Sequence, residues 1–460
     1  MKNLPKNAIT MRLMKVLHML VLTAMLVACV RIWYVPMLGL ERAWAYSCAA
    51  AIVYFVLAAN LGRIYGIYRF GVSRIRHLVY AQGLTIFLSA AIGYAAASII
   101  KLRFINPLPL LAMLGVQLVW CIAWTLVANR VYFRVNRPKN TVVLYKEADQ
   151  LQMLEEIPHL GGKFQISSRV LAEGSLEQLQ QALEGAEAAI LLGLNWEARN
   201  SLIKYCITQG IQCYFPPRVG DVLVSGGEHM EAFSVPLMRV RQAIPPVEYV
   251  VIKRCFDVVA SALAIIVASP FMLATAIAIK AQDKGPVLYK QVRLTKDGKA
   301  FKVLKFRSMR VDAEKDGVAR LATENDDRIT PVGKFIRKIR FDELPQLFNI
   351  LKGDMSIVGP RPERPEIARQ YEEEIHSFGL RLQVKAGLTG YAQVYGRYNT
   401  TPYDKLKMDL MYINRMSVFE DLRIMLATVK VLFMKESTEG IQEGQTTASH
   451  KEEQKDLQNV

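Results

Sequence analysis

Residues 253–284 read KRCFDVVASALAIIVASPFMLATAIAIKAQDK, and the placement of this stretch decides where the rest of the chain lies. Its apolar run, 255–281, is long enough to cross a bilayer, since about 20 apolar residues cover the hydrocarbon core. Two features argue against a simple crossing. Ser269-Pro270 stands in the middle, and proline lacks the backbone N–H and collides with the preceding turn, so a helix here must kink or break. Cations flank both ends, Lys253 and Arg254 before the run, Lys280 and Lys284 after it. That pattern suits a helix-break-helix that enters one leaflet and returns better than it suits a fifth span. The competing reading, an ordinary kinked transmembrane helix, puts everything after residue 284 on the opposite face from residue 250.

Upstream, four stretches have spanning length, near 13–33, 43–62, 79–100 and 108–128. They account for a composition that is 52% hydrophobic and only 22% charged, too apolar for an ordinary soluble protein. Lys15 and His18 interrupt the start of the first, and no small-residue cleavage site follows it, so it reads as an anchor and not a removed signal peptide. Basic residues gather before the first span (Lys2, Lys6, Arg12, Lys15), in the second loop (Arg63, Arg69, Arg74, Arg76) and after the fourth span (Arg130, Arg134, Arg137, Lys139). The other two loops hold only Arg31 and Arg42, or Lys101 and Arg103, so both ends of the block are expected to face the cytoplasm. The same bias, with a surface resting on anionic membrane lipid, explains the net charge of +17 better than nucleic-acid binding does. Six cysteines without a C-x-x-C and six histidines without metal spacing give no reason to expect zinc or structural disulfides.

Residues 140–245 read as a separate module. Short apolar runs at 141–145, 164–170, 188–194 and 211–215 alternate with helical stretches at 175–183 and 196–209, the pattern of parallel βαβ crossovers. A Rossmann-like domain is expected, but the turn after its first strand is Lys146-Glu147-Ala148-Asp149. It has no glycine to let a pyrophosphate approach the following helix, which favours a structural or regulatory module over a nucleotide site.

Beyond residue 284, 287–292 and 301–306 look like strands joined at Lys296-Asp297-Gly298-Lys299, an Asp-Gly hairpin signal. Then Asp342-Glu343-Leu344-Pro345-Gln346 follows Arg337, Lys338 and Arg340 by about one helical turn, and Gly353-Asp354-Met355-Ser356-Ile357-Val358-Gly359-Pro360-Arg361-Pro362 comes next. Two adjacent carboxylates can hold a divalent ion or supply a nucleophile beside a base, and arginine forks bind phosphate oxygens, so phosphoryl transfer is the chemistry to expect. The bland alternative is an acidic pair neutralised by Arg337, Lys338 or Arg340 on a solvated helix; Asp354 is open between a helix cap and a metal ligand. Residues 333–341 (Phe335, Ile336, Ile339) and 418–435 (Ile424, Met425, Val429, Leu432, Phe433) are amphipathic, either interfacial or buried. The tail 437–460 is polar and expected to be disordered.

These motifs occur in a fixed order: Lys253-Arg254-Cys255-Phe256-Asp257, Ser269-Pro270, Asp327-Arg328-Ile329-Thr330, the Asp342-Glu343 motif, Gly353-Asp354-Met355-Ser356, Val358-Gly359-Pro360-Arg361-Pro362, and Gly387-Leu388-Thr389-Gly390 leading to Gln393. In that order the region 250–436 resembles the bacterial sugar transferases, the monotopic polyprenyl-phosphate hexose-1-phosphate transferases. The plan of a transmembrane region 1–135 followed by an α/β module resembles the long members that start exopolysaccharide or capsule repeat units. One departure is Ala386, where many members carry proline before the Gly-x-Thr-Gly motif; a turn residue is at stake there, not chemistry.

The resemblance implies an α/β-containing monotopic catalytic domain with a re-entrant helix. It also implies transfer of hexose 1-phosphate from a UDP-sugar to undecaprenyl phosphate at the cytoplasmic face of the bacterial inner membrane, with Mg²⁺ and release of UMP. Asp342 would be the nucleophile and Glu343 its neighbour in metal binding or proton handling. Arg337 and Arg361 would neutralise phosphate oxygens, Arg254 would meet the lipid phosphate, and the Ser269-Pro270 break would set depth in the membrane. A membrane UDP-sugar glycosyltransferase would instead release UDP and show an Asp-x-Asp motif, and a non-enzymatic sensor or scaffold gives no reason for an acidic pair among arginines. The sequence leaves open which hexose is carried, and it leaves room for a homo-oligomer.

Overall fold

The computed structural model describes residues 6–39, 42–71, 73–155, 160–232, 235–310, 328–396 and 400–432. Asp327 and the tail 437–460, on which two of the expectations fall, lie outside them. The chain divides into two compact units, Met1–Pro216 and Pro217–Val460.

The first unit opens with four helices, Lys6–Cys29, Ala43–Tyr65, Ile75–Ile100 and Leu108–Val135, the first prolonged by a π-helical turn at Val30–Tyr34. Their outward faces are apolar: Leu13, Leu17, Leu20, Ile52, Val53, Val116 and Val119 are all exposed. Their polar groups point inward. Tyr54 Oη donates to Gln117 Oε1 (3.1 Å), Gln117 Nε2 to the Leu22 carbonyl (2.9 Å) and Thr125 Oγ1 to Gln82 Oε1 (3.1 Å). Apolar outside with polar contacts between helices is the arrangement that lipid demands. With Val247–Asp283, five helices among the described residues are long and apolar enough to cross a bilayer, and the chain is a membrane protein.

A four-stranded sheet follows, β1 (Lys139–Tyr145), β2 (Phe164–Leu171), β3 (Ala188–Leu191) and β4 (Gln212–Tyr214), parallel throughout in the order β2-β1-β3-β4. The central strand is buried continuously from Thr141 to Leu144, as a strand covered on both faces must be. The turn after β1 is closed off. Gln150 Oε1 accepts from Lys146 N (3.1 Å) and Glu147 N (3.4 Å), so the amides that would cradle a phosphate are already occupied. The unit boundary at Pro216/Pro217 assigns 217–245, read from sequence as part of this module, to the second unit. There the helix Val219–Ser225 buries Val222 in a cluster with Leu406, Leu410 and Ile413, and Asn414 Nδ2 donates to the Val222 carbonyl (2.8 Å). An antiparallel hairpin, β5 (Glu228–Ala232) and β6 (Val235–Arg239), comes next.

The long helix Val247–Asp283 carries Pro270 inside it without interruption. The proline at which a kink or break is expected thus lies inside one helix, where Ser269 Oγ donates to the Ile266 carbonyl (2.8 Å), the acceptor that an amide at position 270 would otherwise serve. Both ends of this helix touch the second unit. Near its start Lys253 pairs with Asp421 (2.7 Å) and the Asp257 carboxylate accepts from Ile357 N (3.0 Å); near its end Asp283 pairs with Arg307. The opposite face, including Phe256, Val259, Leu263, Ile266, Val267, Leu273 and Ile277, is exposed and apolar.

Strands β7 (Leu288–Leu294) and β8 (Ala300–Phe306) form the expected hairpin, with Asp297 (φ 57°) and Gly298 (φ 71°) both left-handed at its turn, as an Asp-Gly turn requires. The amphipathic stretches resolve differently along their length. Ile336 and Ile424 are buried, while Phe335 and Phe419 are exposed.

Candidate functional site

The acidic pair occupies a 3-10 turn, Phe341–Glu343, between the helices Pro331–Lys338 and Gln346–Lys352, not the solvated helix of the bland alternative. Thr330 Oγ1 caps the first helix by accepting from Gly333 N (3.0 Å), with Pro331 in its first turn, a strong start signal. Arg340 then adopts φ 56°, a left-handed conformation that costs a non-glycine residue about 1–2 kcal/mol and reverses the chain into the turn. Phe341 and Leu344 anchor the turn against Ile279, Phe306 and Ile336, and the Phe341 ring meets Phe271 of the long helix edge-on at 6.1 Å. The carboxylates are thus fixed beside the half of the apolar helix that follows Ser269-Pro270.

Two elements bring cations to Glu343. Lys305 Nζ, from β8, and the Arg361 guanidinium, after the short strand β9 (Ser356–Val358), each lie 3.1 Å from Glu343 Oε1. Lys305 was not singled out from sequence, yet a signal was there: it shares a strand face with Phe301 and Val303, both buried, and a lysine at an inward register position calls for a partner. Asn349, also missed, ties β8 to the Gln346–Lys352 helix. Its Oδ1 accepts from Leu304 N and its Nδ2 donates to the Lys302 carbonyl, each at 2.9 Å.

Arg361 is placed by glycines. Strand β9 pairs in parallel with β10 (Gly387–Thr389), and Gly359 N donates to the Thr389 carbonyl (2.8 Å). A Cβ at Gly359 would stand 2.3 Å from the Lys385 carbonyl oxygen, and one at Gly390 would stand 2.2 Å from that of Gly359. Only glycine permits this approach of two loops.

The field splits the pair. Burial opposes charge on Glu343, but Lys305, Arg361 and Arg340 outweigh it and hold its pKa well below the usual carboxylate range. Burial, then the neighbouring Glu343 charge, push Asp342 upward, partly offset by Lys305, Arg337 and Arg361. Arg361 is held more firmly charged by Glu343. Neighbouring carboxylates whose environments drive their pKa values apart are the arrangement from which acid, base and nucleophile roles are built.

The remaining sequence-predicted residues fall as follows. Arg337, half-buried in the last turn of its helix, acts on Asp342 through its charge. Arg254 is not brought to the pair. It donates to the Ile350 and Leu351 carbonyls (2.7 and 2.8 Å) at the far end of the Gln346–Lys352 helix, about 10 Å away along the helix at 1.5 Å per residue. There it satisfies end carbonyls that a helix leaves open. Asp354 pairs with Lys352 (3.1 Å). For a metal, Asp342 accepts no hydrogen bond among the described residues, whereas one oxygen of Glu343 is taken by two cations; no cluster of three or more His, Cys, Asp or Glu occurs there. A pair of carboxylates completed by substrate phosphates is how proteins commonly hold Mg²⁺, so the residues fit a substrate-completed ion and not a closed cage.

A family model described as bacterial sugar transferase matches residues 248–435, the segment that contains every group just described. The chain is 43% identical over 192 residues to a UDP-N-acetylgalactosamine-undecaprenyl-phosphate N-acetylgalactosaminephosphotransferase of Aeromonas hydrophila, covering 41% of this chain and 45% of the relative. It is 46% identical over 192 residues to a UDP-glucose:undecaprenyl-phosphate glucose-1-phosphate transferase of Klebsiella pneumoniae, covering 41% of each. The match thus spans less than half the length of either relative. A shorter relative from Caulobacter vibrioides, also a UDP-glucose:undecaprenyl-phosphate glucose-1-phosphate transferase, is 41% identical over 185 residues, which cover 39% of this chain and 69% of that one. With two-thirds of a relative covered at that identity, and the matched region coinciding with the acidic turn and its cations, the chain belongs to the bacterial sugar transferase family.

Proposed function

We propose that this protein transfers a hexose 1-phosphate from a UDP-sugar to undecaprenyl phosphate, releasing UMP, as the first step of building an exopolysaccharide or capsule repeat. The observation that carries the reading is the split carboxylate pair, Asp342 and Glu343, within the field of Lys305, Arg337, Arg340 and Arg361 and fastened to an apolar helix. Asp342, which accepts no hydrogen bond among the described residues, attacks the sugar-linked phosphorus; the Asp342–phosphorus bond forms as the bond to the UMP oxygen breaks. A phosphate oxygen of the lipid acceptor then attacks the same phosphorus and frees Asp342. Lys305 and Arg361 keep Glu343 ionised, and Arg337 and Arg361 neutralise oxygens whose charge redistributes in each displacement. Mg²⁺ held by Asp342 and Glu343 together with substrate would supply further neutralisation of the diphosphate.

The long helix, in this reading, is re-entrant and the catalytic region cytoplasmic. Support comes from its two ends: contacts to one compact unit occur at Lys253 and again at Asp283. Were those ends on opposite faces of a hydrocarbon core about 30 Å thick, one compact unit would have to reach through lipid to meet both. We read the β1–β4 sheet as a Rossmann-like module without nucleotide, on its parallel order and its occupied first turn. The test is purified protein with undecaprenyl phosphate and a panel of UDP-glucose, UDP-galactose and their N-acetylated forms. UMP release with one of them is expected; release of UDP, or of neither, refutes the proposal.

A further inference from the structure

The segment that presents Arg361 is bonded at four successive carbonyls. Pro360 O accepts from Gly387 N (2.9 Å), Arg361 O from Arg381 Nη2 (3.0 Å), Pro362 O from Arg293 Nη1 (3.0 Å) and Glu363 O from Leu294 N (3.0 Å). Two of these donors are backbone amides of neighbouring strands or loops. The other two are arginine side chains, and Arg381 is the more unusual, being 4% exposed.

Arg381 spends its fork three ways. It pairs with Asp409, itself 1% exposed, through Nη2 (2.6 Å) and Nε (2.9 Å). It reaches Glu363 Oε1 through Nη1 at 3.6 Å, while Glu363 Oε2 meets Arg293 at 3.8 Å. Its third contact is the Arg361 carbonyl, and its plane lies over the Phe378 ring at 4.9 Å. A buried ion pair is weak ground for stability, because apolar residues of similar volume commonly serve as well. What a planar, always-charged fork does supply is direction at several acceptors at once, which no aliphatic side chain or lysine reproduces.

We propose that Arg381, held by Asp409, is a positioning residue for the transfer reaction. It fixes the Arg361 main chain, and so the line along which the Arg361 guanidinium reaches Glu343 and the substrate phosphate. The inference rests on the function proposed above.

The test is a double-substitution cycle on full-length protein, reading kcat/KM for UMP release. Arg381→Lys is expected to lower kcat/KM by about 10-fold or more in the wild-type background, the scale of a misaligned catalytic contact. In an Arg361→Ala background it should change kcat/KM less than about 2-fold, since interacting groups are non-additive. A merely structural residue would reduce active protein by the same factor in both backgrounds, and that result overturns the proposal, as does an Arg381→Lys protein with full activity. If Arg381→Lys does not fold, Glu363→Gln, which keeps shape and removes only the bridging charge, reads the same coupling. Absence of UMP release by the unsubstituted protein would instead refute the parent function.

Discussion

Replacing Lys305 with Met removes one of the two cations on Glu343 while keeping most of the side-chain volume. At 3.1 Å and an effective dielectric of about 20, the bare attraction is about 5 kcal/mol, an upper bound because both side chains retain some solvent. Hydrogen bonds to charged groups contribute about 1.5–3 kcal/mol net, so a loss of about 2 kcal/mol is expected, with Arg361 and Arg340 still acting on the carboxylate. For a unit of this size that is a fall of roughly 4–8 °C in thermal midpoint. The sign of its pH dependence follows from Glu343 being held below its ordinary value of 4.5. Stability from a depressed carboxyl is fully present above that value and is lost as pH falls through the folded-state pKa. The gap between Lys305→Met and wild type should therefore be widest above pH 4.5 and close in acid. Thermal unfolding of the detergent-solubilised full chain, followed by intrinsic fluorescence across that range, measures it. A gap of constant size would mean that Lys305 acts by packing, and no gap at all would refute the charge argument.

Asp342→Asn keeps shape and loses charge, so it should fold, insert and release no UMP; wild type given UDP-sugar labelled in the β-phosphate without lipid should retain about one label per site, and turnover by the variant would exclude a covalent step. EDTA should stop the reaction and Mg²⁺ restore it. Gly359→Ala must push a methyl toward the Lys385 carbonyl, so it should lower both thermal midpoint and kcat/KM, whereas Gly185→Ala, where a Cβ meets nothing within 4 Å, should cost only backbone strain of about 1 kcal/mol at its positive φ and leave activity intact. A cysteine placed at Lys290 should resist a membrane-impermeant probe applied to intact cells; labelling from outside would sink the re-entrant reading.

Local signals carried much of this architecture. The alternation of 141–145, 164–170, 188–194 and 211–215 with helical stretches sufficed for the parallel sheet, because each strand is short, apolar and bounded by polar turns. The Asp-Gly pair fixed the β7–β8 turn for the reason that both positions need positive φ. What stayed illegible is whatever a partner far along the chain decides. The end carbonyls that Arg254 satisfies, at Ile350 and Leu351, are invisible from position 254. Val219–Ser225 was grouped with the strands it follows because nothing local reveals that Val222 is buried against Leu406. At the site, the carboxylates and Arg361 were legible as motifs, while Lys305 required knowing which strand face turns inward.

The polar residues that fasten the start of the long helix have a consequence for synthesis. Lys253 waits for Asp421, 168 residues later; Arg254 waits for Leu351, 97 residues later; Asp257 waits for Ile357, 100 residues later. At about 5–20 residues per second, the ribosome takes roughly 8–34 s to supply Asp421 after Lys253 has been made. On the topology proposed above, the apolar helix would meet the bilayer throughout that interval with two unneutralised cations at its leading end, which the positive-inside bias would hold on the side where they were made. The helix would in this way be oriented before it is attached, and the domain that closes on it afterwards would record a decision already taken.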